Sequence, residues 1–193
     1  MCSNDNSIDN NMHHHHHGDE NCSKQDIVEV CVSKCRTTAC LPRYAKPGDA
    51  GMDIVAAVDV HLAPGETKLI PTGLKFAIPE GYEIQVRPRS GLSLNTPLRI
   101  PNAPGTIDSG FRDEICVIMS NSSCISDNLG SNVIPTYFVS TKGNERGNYQ
   151  ISAGDRIAQI VIQKVPQIKW KGVDDVAEIG FDRGGGFGST GLK

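Results

Sequence analysis

The sequence predicts an all-β fold: a barrel, a sandwich or a jelly roll. Two observations carry this. Short apolar stretches of strand length recur along the chain with turn signals between them, and almost nothing shows helical periodicity. The length of 193 residues suits one compact domain with tails.

Taken in order, Val28, Val30 and Val32 alternate with polar residues, the period of a half-buried strand. Apolar stretches follow at 53–62, 68–70, 74–78, 83–86, 115–119, 136–140 and 156–165. Between them stand Pro47-Gly48, Pro64-Gly65, Pro71-Thr72-Gly73, Pro79-Glu80-Gly81, Asn102 to Gly105 and Lys142-Gly143-Asn144. Proline presets φ at such turns and glycine opens the left-handed region. The one helical candidate is a short stretch after Ser90, around Leu92 to Leu94. Residues 121–148 read as an irregular insertion in a β domain spanning 27–172. Its second half, Pro135 to Ser140 and then Tyr149 to Ile151, reads as an extra hairpin. Residues 1–26 are rich in Asn, Asp, Ser and His and bury too little apolar surface to offset their ordering entropy, so they are expected to be disordered. Within them, His13 to His17 is an affinity tag or a natural low-complexity tract, with metal binding as the functional alternative. From 173 the chain turns acidic and then glycine-rich. That composition predicts a mobile arm that orders on a ligand.

Composition narrows the classes. Hydrophobic residues are 38% and aromatics only 5%. The core is therefore thin for this length, and part of the chain is unpacked or the core is completed between subunits. Lys+Arg 19 against Asp+Glu 22 gives net −3, which argues against a general nucleic-acid coat and leaves room only for a local basic pocket. No apolar run approaches the roughly 18–20 residues of a membrane span. The polar, acidic N-terminus has neither a secretion signal nor the pattern of a transit peptide. A soluble intracellular protein, cytoplasmic or nuclear, with no nucleic-acid or membrane partner, is the expectation. Seven cysteines without a secretion signal read as reduced thiols, and the sequons at Asn21 and Asn121 as inert. Cys31, Cys35 and Cys40 cluster, but without C-x2-C spacing, so thiols rather than zinc ligands are expected.

Five stretches carry chemistry. Pro47-Gly48-Asp49-Ala50-Gly51-Met52-Asp53-Ile54 brings Asp53 into an apolar strand, and Gly154-Asp155-Arg156-Ile157-Ala158-Gln159-Ile160 brings Gln159 into another. Such polar side chains need hydrogen-bond partners. Arg87-Pro88-Arg89-Ser90-Gly91-Leu92-Ser93 sets basic side chains and a hydroxyl at the start of a turn or helix, where backbone amides attract anions. Asn102 to Ile115 contains two glycine turns around a short strand. An exposed backbone edge there can read the donors and acceptors of a pyrimidine, and Asp108 can polarise a water, although a lone Asp at a strand end also serves as a cap. Gly186-Phe187-Gly188-Ser189-Thr190-Gly191 is formally G-x-G-x-x-G. A dinucleotide site would need a helix after it, which Leu192-Lys193 cannot supply. What remains is a segment whose amides and hydroxyls can wrap phosphate, with Arg183 to neutralise charge and Phe187 to stack on a base.

In this order, from about Leu41 to Gly191, the five stretches resemble the motifs of the trimeric all-β deoxyuridine triphosphatases. The resemblance implies a distorted jelly roll or β-barrel, assembled as a homotrimer whose three active sites each draw on all three subunits. It implies Mg-dependent hydrolysis of dUTP to dUMP and pyrophosphate. Asp108 would activate the water that attacks the α-phosphorus, with Ser90 and Gln159 completing the catalytic set. Arg89, Ser90 and Gly91 would contact the phosphates. Asn102 and the backbone of Gly105, Thr106, Ile107 and Cys116 would read uracil. Phe111, standing where the family usually has tyrosine, would pack under the sugar. Met52 and Asp113 also depart from the family's usual tyrosine and glycine. Gln159 and Asp53 would reach magnesium only through water, with no direct protein ligand. Arg183, Phe187, Gly188, Ser189 and Thr190 would form the arm that closes over the nucleotide. Two alternatives use the same fold: a dCTP deaminase, for which Glu114 is the nearby carboxylate, and a non-catalytic nucleotide-sensing module.

Overall fold

A computed structural model describes residues 26–124 and 133–184. The expectations for the 1–25 tail with its histidines, for 125–132 of the insertion and for Phe187, Gly188, Ser189 and Thr190 lie outside these residues. Among the described residues twelve strands and one short α-helix follow in order, β1 (Cys31–Lys34), β2 (Met52–Val55), β3 (Val60–Leu62), β4 (Thr67–Pro71), β5 (Leu74–Ala77), β6 (Tyr82–Arg87), α1 (Ser90–Asn95), β7 (Leu98–Arg99), β8 (Gly105–Ile107), β9 (Cys116–Asn121), β10 (Thr136–Phe138), β11 (Asn148–Ile151) and β12 (Arg156–Lys164), with a 3-10 turn at Val176–Glu178 after them. The architecture is all-β and jelly-roll-like. Four sheets with orders β1-β5, β10-β11-β3, β2-β12-β6-β8 and β4-β9-β7 surround one core without closing into a barrel.

The apolar stretches read from the sequence supply the core. β5, β6, β9 and β11 bury every second residue, and the inward set is almost wholly aliphatic: Ile54, Leu62, Ile70, Leu74, Val117, Met119, Ile151 and Ile157 are fully buried. Each such side chain contributes about 1.5–3 kcal/mol by leaving water. Tyr149 is the largest of them, and its hydroxyl donates to the Glu145 carbonyl at 2.9 Å. Asn121, buried at the end of β9, is satisfied on both sides. Its Nδ2 donates to the carbonyls of Leu62 and Gly147, and its Oδ1 accepts the Ser123 N–H. It thereby ties the end of the β4-β9-β7 sheet to the β10-β11-β3 sheet.

Four expectations change. The first strand begins at Cys31, after the valine alternation has begun. The 53–62 stretch is cut into β2 and β3, because the Ala56 N–H and carbonyl turn away to bond the Asp155 carbonyl and Gly154 N–H. The strands expected as a hairpin pair in parallel, Thr136 opposite Asn148 and Phe138 opposite Gln150. The chain reverses twice between them, first at Phe138–Thr141 and again through Gly143 and Asn144, both at positive φ. The close approach also needs Gly147, where a Cβ would lie 2.5 Å from the Pro135 carbonyl oxygen. Finally, Cys40 is disulfide-bonded, whereas Cys31, Cys35 and Cys116 are free thiols. No helix among the described residues is long and apolar enough to cross a membrane.

Candidate active site

The site is laid out by strand register. In the sheet β2-β12-β6, Gln159 of β12 stands opposite Asp53 of β2 on one side and Arg87 of β6 on the other. Directly paired residues share a face. Three polar residues from three separate sequence stretches therefore form one row. The Gln159 Nε2 donates to the Pro88 carbonyl at 2.8 Å. Gly51 makes room for this side chain, since a Cβ there would come within 2.8 Å of the Gln159 Oε1.

Pro88 cannot donate to a ladder, so β6 ends there and the chain enters α1. Arg89, the residue before the helix, does not cap it with its side chain. Its guanidinium instead forks onto Asp53, Nε to Oδ1 at 2.7 Å and Nη2 to Oδ2 at 3.1 Å. Bidentate geometry of this kind fixes orientation as well as charge. Arg156 approaches the same carboxylate at 3.4 Å. A register shift between Arg156 and Ala158 in the β12–β2 pairing sets its position. The sequence pattern alone does not mark Arg156 as part of this cluster. Its one signal is the Gly154-Asp155 turn, which places the next residue at a strand start. Ser90 and Ser93, with Gln85, Arg87, Pro88, Ala103, Pro104 and Gln159, line an open groove of about 580 Å³. Along its wall Arg87 donates to Gln85 Oε1 and Gln85 to Glu83, a polar ladder on the outer face of β6.

The second half of the site is the hairpin after β7. Asn102, Gly105, Thr106, Ile107, Phe111 and Cys116, all expected to read the base or sugar, line one cavity of about 320 Å³, floored by Val86, Ile100, Ile115 and Val117. Among the described residues β8 lies at the end of its sheet and pairs only with β6, so its other edge has no strand partner there. Gly105 lets the Asn102 side chain lie against that edge, since a Cβ would meet Asn102 Nδ2 at 3.2 Å and Val86 at 3.4 Å. Burial pushes the Cys116 thiol up, so it enters the cavity wall as a neutral, weakly polar group. Phe111 is 41% exposed at the mouth. Asp108 follows β8 and is exposed. Its carbonyl accepts the Phe111 N–H, closing the turn, and no hydrogen bond engages its carboxylate among the described residues.

Not every expected residue converges. Asp108, Arg89 and Gly91 line neither hollow, and Arg183 sits exposed beyond the body. Glu114 is a strut: its carboxylate takes Arg36 Nε at 2.6 Å, Arg36 Nη2 at 2.8 Å and the Gly73 N–H at 2.8 Å. The Arg36 guanidinium above all, and the Gly73 amide, hold its carboxyl below the usual range. Among the described residues no group of three His, Cys, Asp or Glu side chains is set to grip a metal. The two oxygens of Asp53 are already taken by Arg89 and Arg156. This donor set suits a hydrated cation carried by a ligand rather than a protein-ligated one.

The all-β scaffold carries a strand-edge cavity and a polar groove, and comparison with known proteins identifies the family. A dUTPase family model matches residues 37–129. The chain is 43% identical over 152 residues to a deoxyuridine 5′-triphosphate nucleotidohydrolase of Thermobifida fusca, covering 78% of this chain and 72% of that protein. It superposes on a dUTPase variant of Staphylococcus bacteriophage 80alpha solved with dUpNHpp, with a TM-score of 0.74 at 30% identity, covering 85% of this chain and 99% of the other. A dUTPase variant of phage phi11 of S. aureus, whose structure describes coordination of a structural Mg(II) ion, gives a TM-score of 0.67 at 30% identity and covers 76% and 97%. The chain belongs to the dUTPase family, and its class is that of the dUTP diphosphatases.

Proposed function

We propose that this chain hydrolyses dUTP to dUMP and pyrophosphate in sites shared between three copies of itself. The observation that supports this best is the division of the site. Val86 of β6 lines the cavity, whereas Gln85 and Arg87 line the groove. Alternate residues of a strand stand on opposite faces. A base in the cavity of one copy therefore directs its phosphates away from that copy's own groove, toward residues that a neighbour supplies. The row of exposed apolar side chains after β12, with Trp170 87% and Phe181 90% exposed, is the kind of surface a neighbour covers.

In this reading the unpaired edge of β8 and Asn102 hydrogen-bond uracil. Cytosine is rejected because it leaves these donors unmatched. Ile107 and Phe111 hold the sugar face. Ser90, Gly91 and Arg89 of a neighbour receive the phosphates, and the segment after Asp182 closes over them and excludes water. Asp108 accepts a proton from a water that forms the new O–Pα bond. The Pα–O bond to the β-phosphate breaks, and pyrophosphate leaves. Magnesium, when bound on the triphosphate, would be held from beyond its water shell by Asp53 and Gln159 and would offset phosphate charge. The Asp108 carboxylate, unengaged among the described residues, supports its role, and the engagement of Glu114 by Arg36 and Gly73 speaks against it as a deaminase base.

Asp108→Asn tests the assignment. Pyrophosphate release from dUTP is expected to fall roughly 10²- to 10⁴-fold, the usual range for a lost general base, while dUpNHpp still binds. A fully active variant would remove Asp108 from the chemistry. Release from the four common deoxynucleotides, measured alongside, is expected to be negligible.

A further inference from the structure

α1 should not be stable by itself. It has six residues, includes Gly91, Ser90, Ser93 and Asn95, and lacks a side-chain N-cap. Helices this short do not persist in water, and these residue types are weak helix formers. Its terminal carbonyls therefore need partners. Two come from nearby: Asn95 Nδ2 donates to the Gly91 carbonyl at 2.9 Å, and Thr96 donates to the Leu92 carbonyl through both N–H and hydroxyl. The third comes from far along the chain. The N–H of Asn144, in the turn between β10 and β11, donates to the Asn95 carbonyl at 2.9 Å. Asn144 has φ +55°, after Gly143 at φ +105°. Asn is among the few non-glycine residues that accept this region. Its Oδ1 is buried without a hydrogen-bond partner. The position is thus held for its backbone, at a cost to its side chain.

We propose that the Asn144 turn is a brace for α1. It holds the helix that presents Ser90 and Gly91, so the segment between β10 and β11 sets affinity for the phosphate chain without touching it. Asn144 is a positioning residue, and Asn95 relays the brace to Gly91. This rests on the reading of Ser90 and Gly91 as phosphate contacts.

The test compares Asn144→Gly, which keeps the N–H and accepts the positive φ, with Asn144→Pro, which removes the donor and forces φ negative. Asn144→Pro is expected to weaken dUpNHpp binding about threefold to tenfold, the worth of one hydrogen bond, and to leave dUMP binding within about twofold. Amide hydrogen exchange at Ser93 and Thr96 is expected to quicken in the same variant. Asn144→Gly should restore both. If the proline variant fails to fold, Asn95→Ala, which keeps the brace and cuts its relay, should show the same selective loss. Unchanged dUpNHpp affinity and exchange, or equal damage from glycine and proline, would overturn the brace. A wild-type chain that fails to turn over dUTP would instead overturn the functional reading, and the exchange rates at Ser93 and Thr96 would then decide the brace alone.

Discussion

Asp53 and Gln159 read in the sequence as polar intruders in apolar strands, in need of partners. The structure supplies the partners and ranks them. Asp53 is consumed by the Arg89 fork and by Arg156, while Gln159 spends its amide on Pro88 and points its Oε1 at Gly51. No spacing rule foretells which arginine meets which carboxylate, because the partners are separated by whole strands. Gly51 illustrates the consequence. A methyl there meets the mobile end of Gln159 at 2.8 Å before it meets the backbone at 3.4 Å, so the side chain yields and loses its bond to Pro88. Gly51→Ala is expected to lower kcat/KM for dUTP about threefold to tenfold, in line with one lost hydrogen bond. Its Tm should fall by only a few degrees. A larger Tm loss with unchanged kinetics would mean that the backbone, not Gln159, had moved.

At the scale of elements, strand existence was legible and strand partnership was not. Apolar stretches of strand length located β5, β6, β9 and β12, and the expected extra hairpin contained β11. The parallel pairing of β10 with β11 is not legible in the sequence, because two successive reversals leave the same glycine-rich signature as one hairpin. The Arg36–Glu114 clasp joins the turn after β1 to the start of β9 across 78 residues, and no local signal marks it. Its pH dependence follows from the lowered Glu114 carboxyl. A carboxyl whose folded pKa lies below its unfolded value of about 4.3 adds stability above that pH and loses it as pH falls through the folded value. The Tm difference between the wild type and Arg36→Ala should therefore be full at pH 6 and shrink towards pH 3. A difference independent of pH would show that the clasp is not ionic.

For the whole molecule, the decisive feature is that cavity and groove open on opposite faces of β6. A thin, nearly all-aliphatic core and an apolar row left in solvent after β12 point the same way, to burial between copies. Shared sites make a clear prediction. Chains carrying Asp108→Asn and chains truncated after Asp182 should each be inactive. Mixed and reassembled, they should regain up to about a quarter of the wild-type sites if chains assort at random in a cyclic trimer. No recovery after verified subunit exchange would restrict each site to one chain.

By itself, the sequence determined the all-β class, the apolar stretches of strand length and the five stretches that carry the family resemblance. These are local properties, written in the length of apolar runs and in the backbone preferences of proline and glycine. Only the tertiary structure decided that Asp53, Gln159 and Arg87 stand in one row, that Glu114 is a strut, and that cavity and groove part across β6. Those outcomes depend on register between strands distant in the chain. A shift of one residue turns every side chain to the other face, and that choice is made by packing the whole core at once.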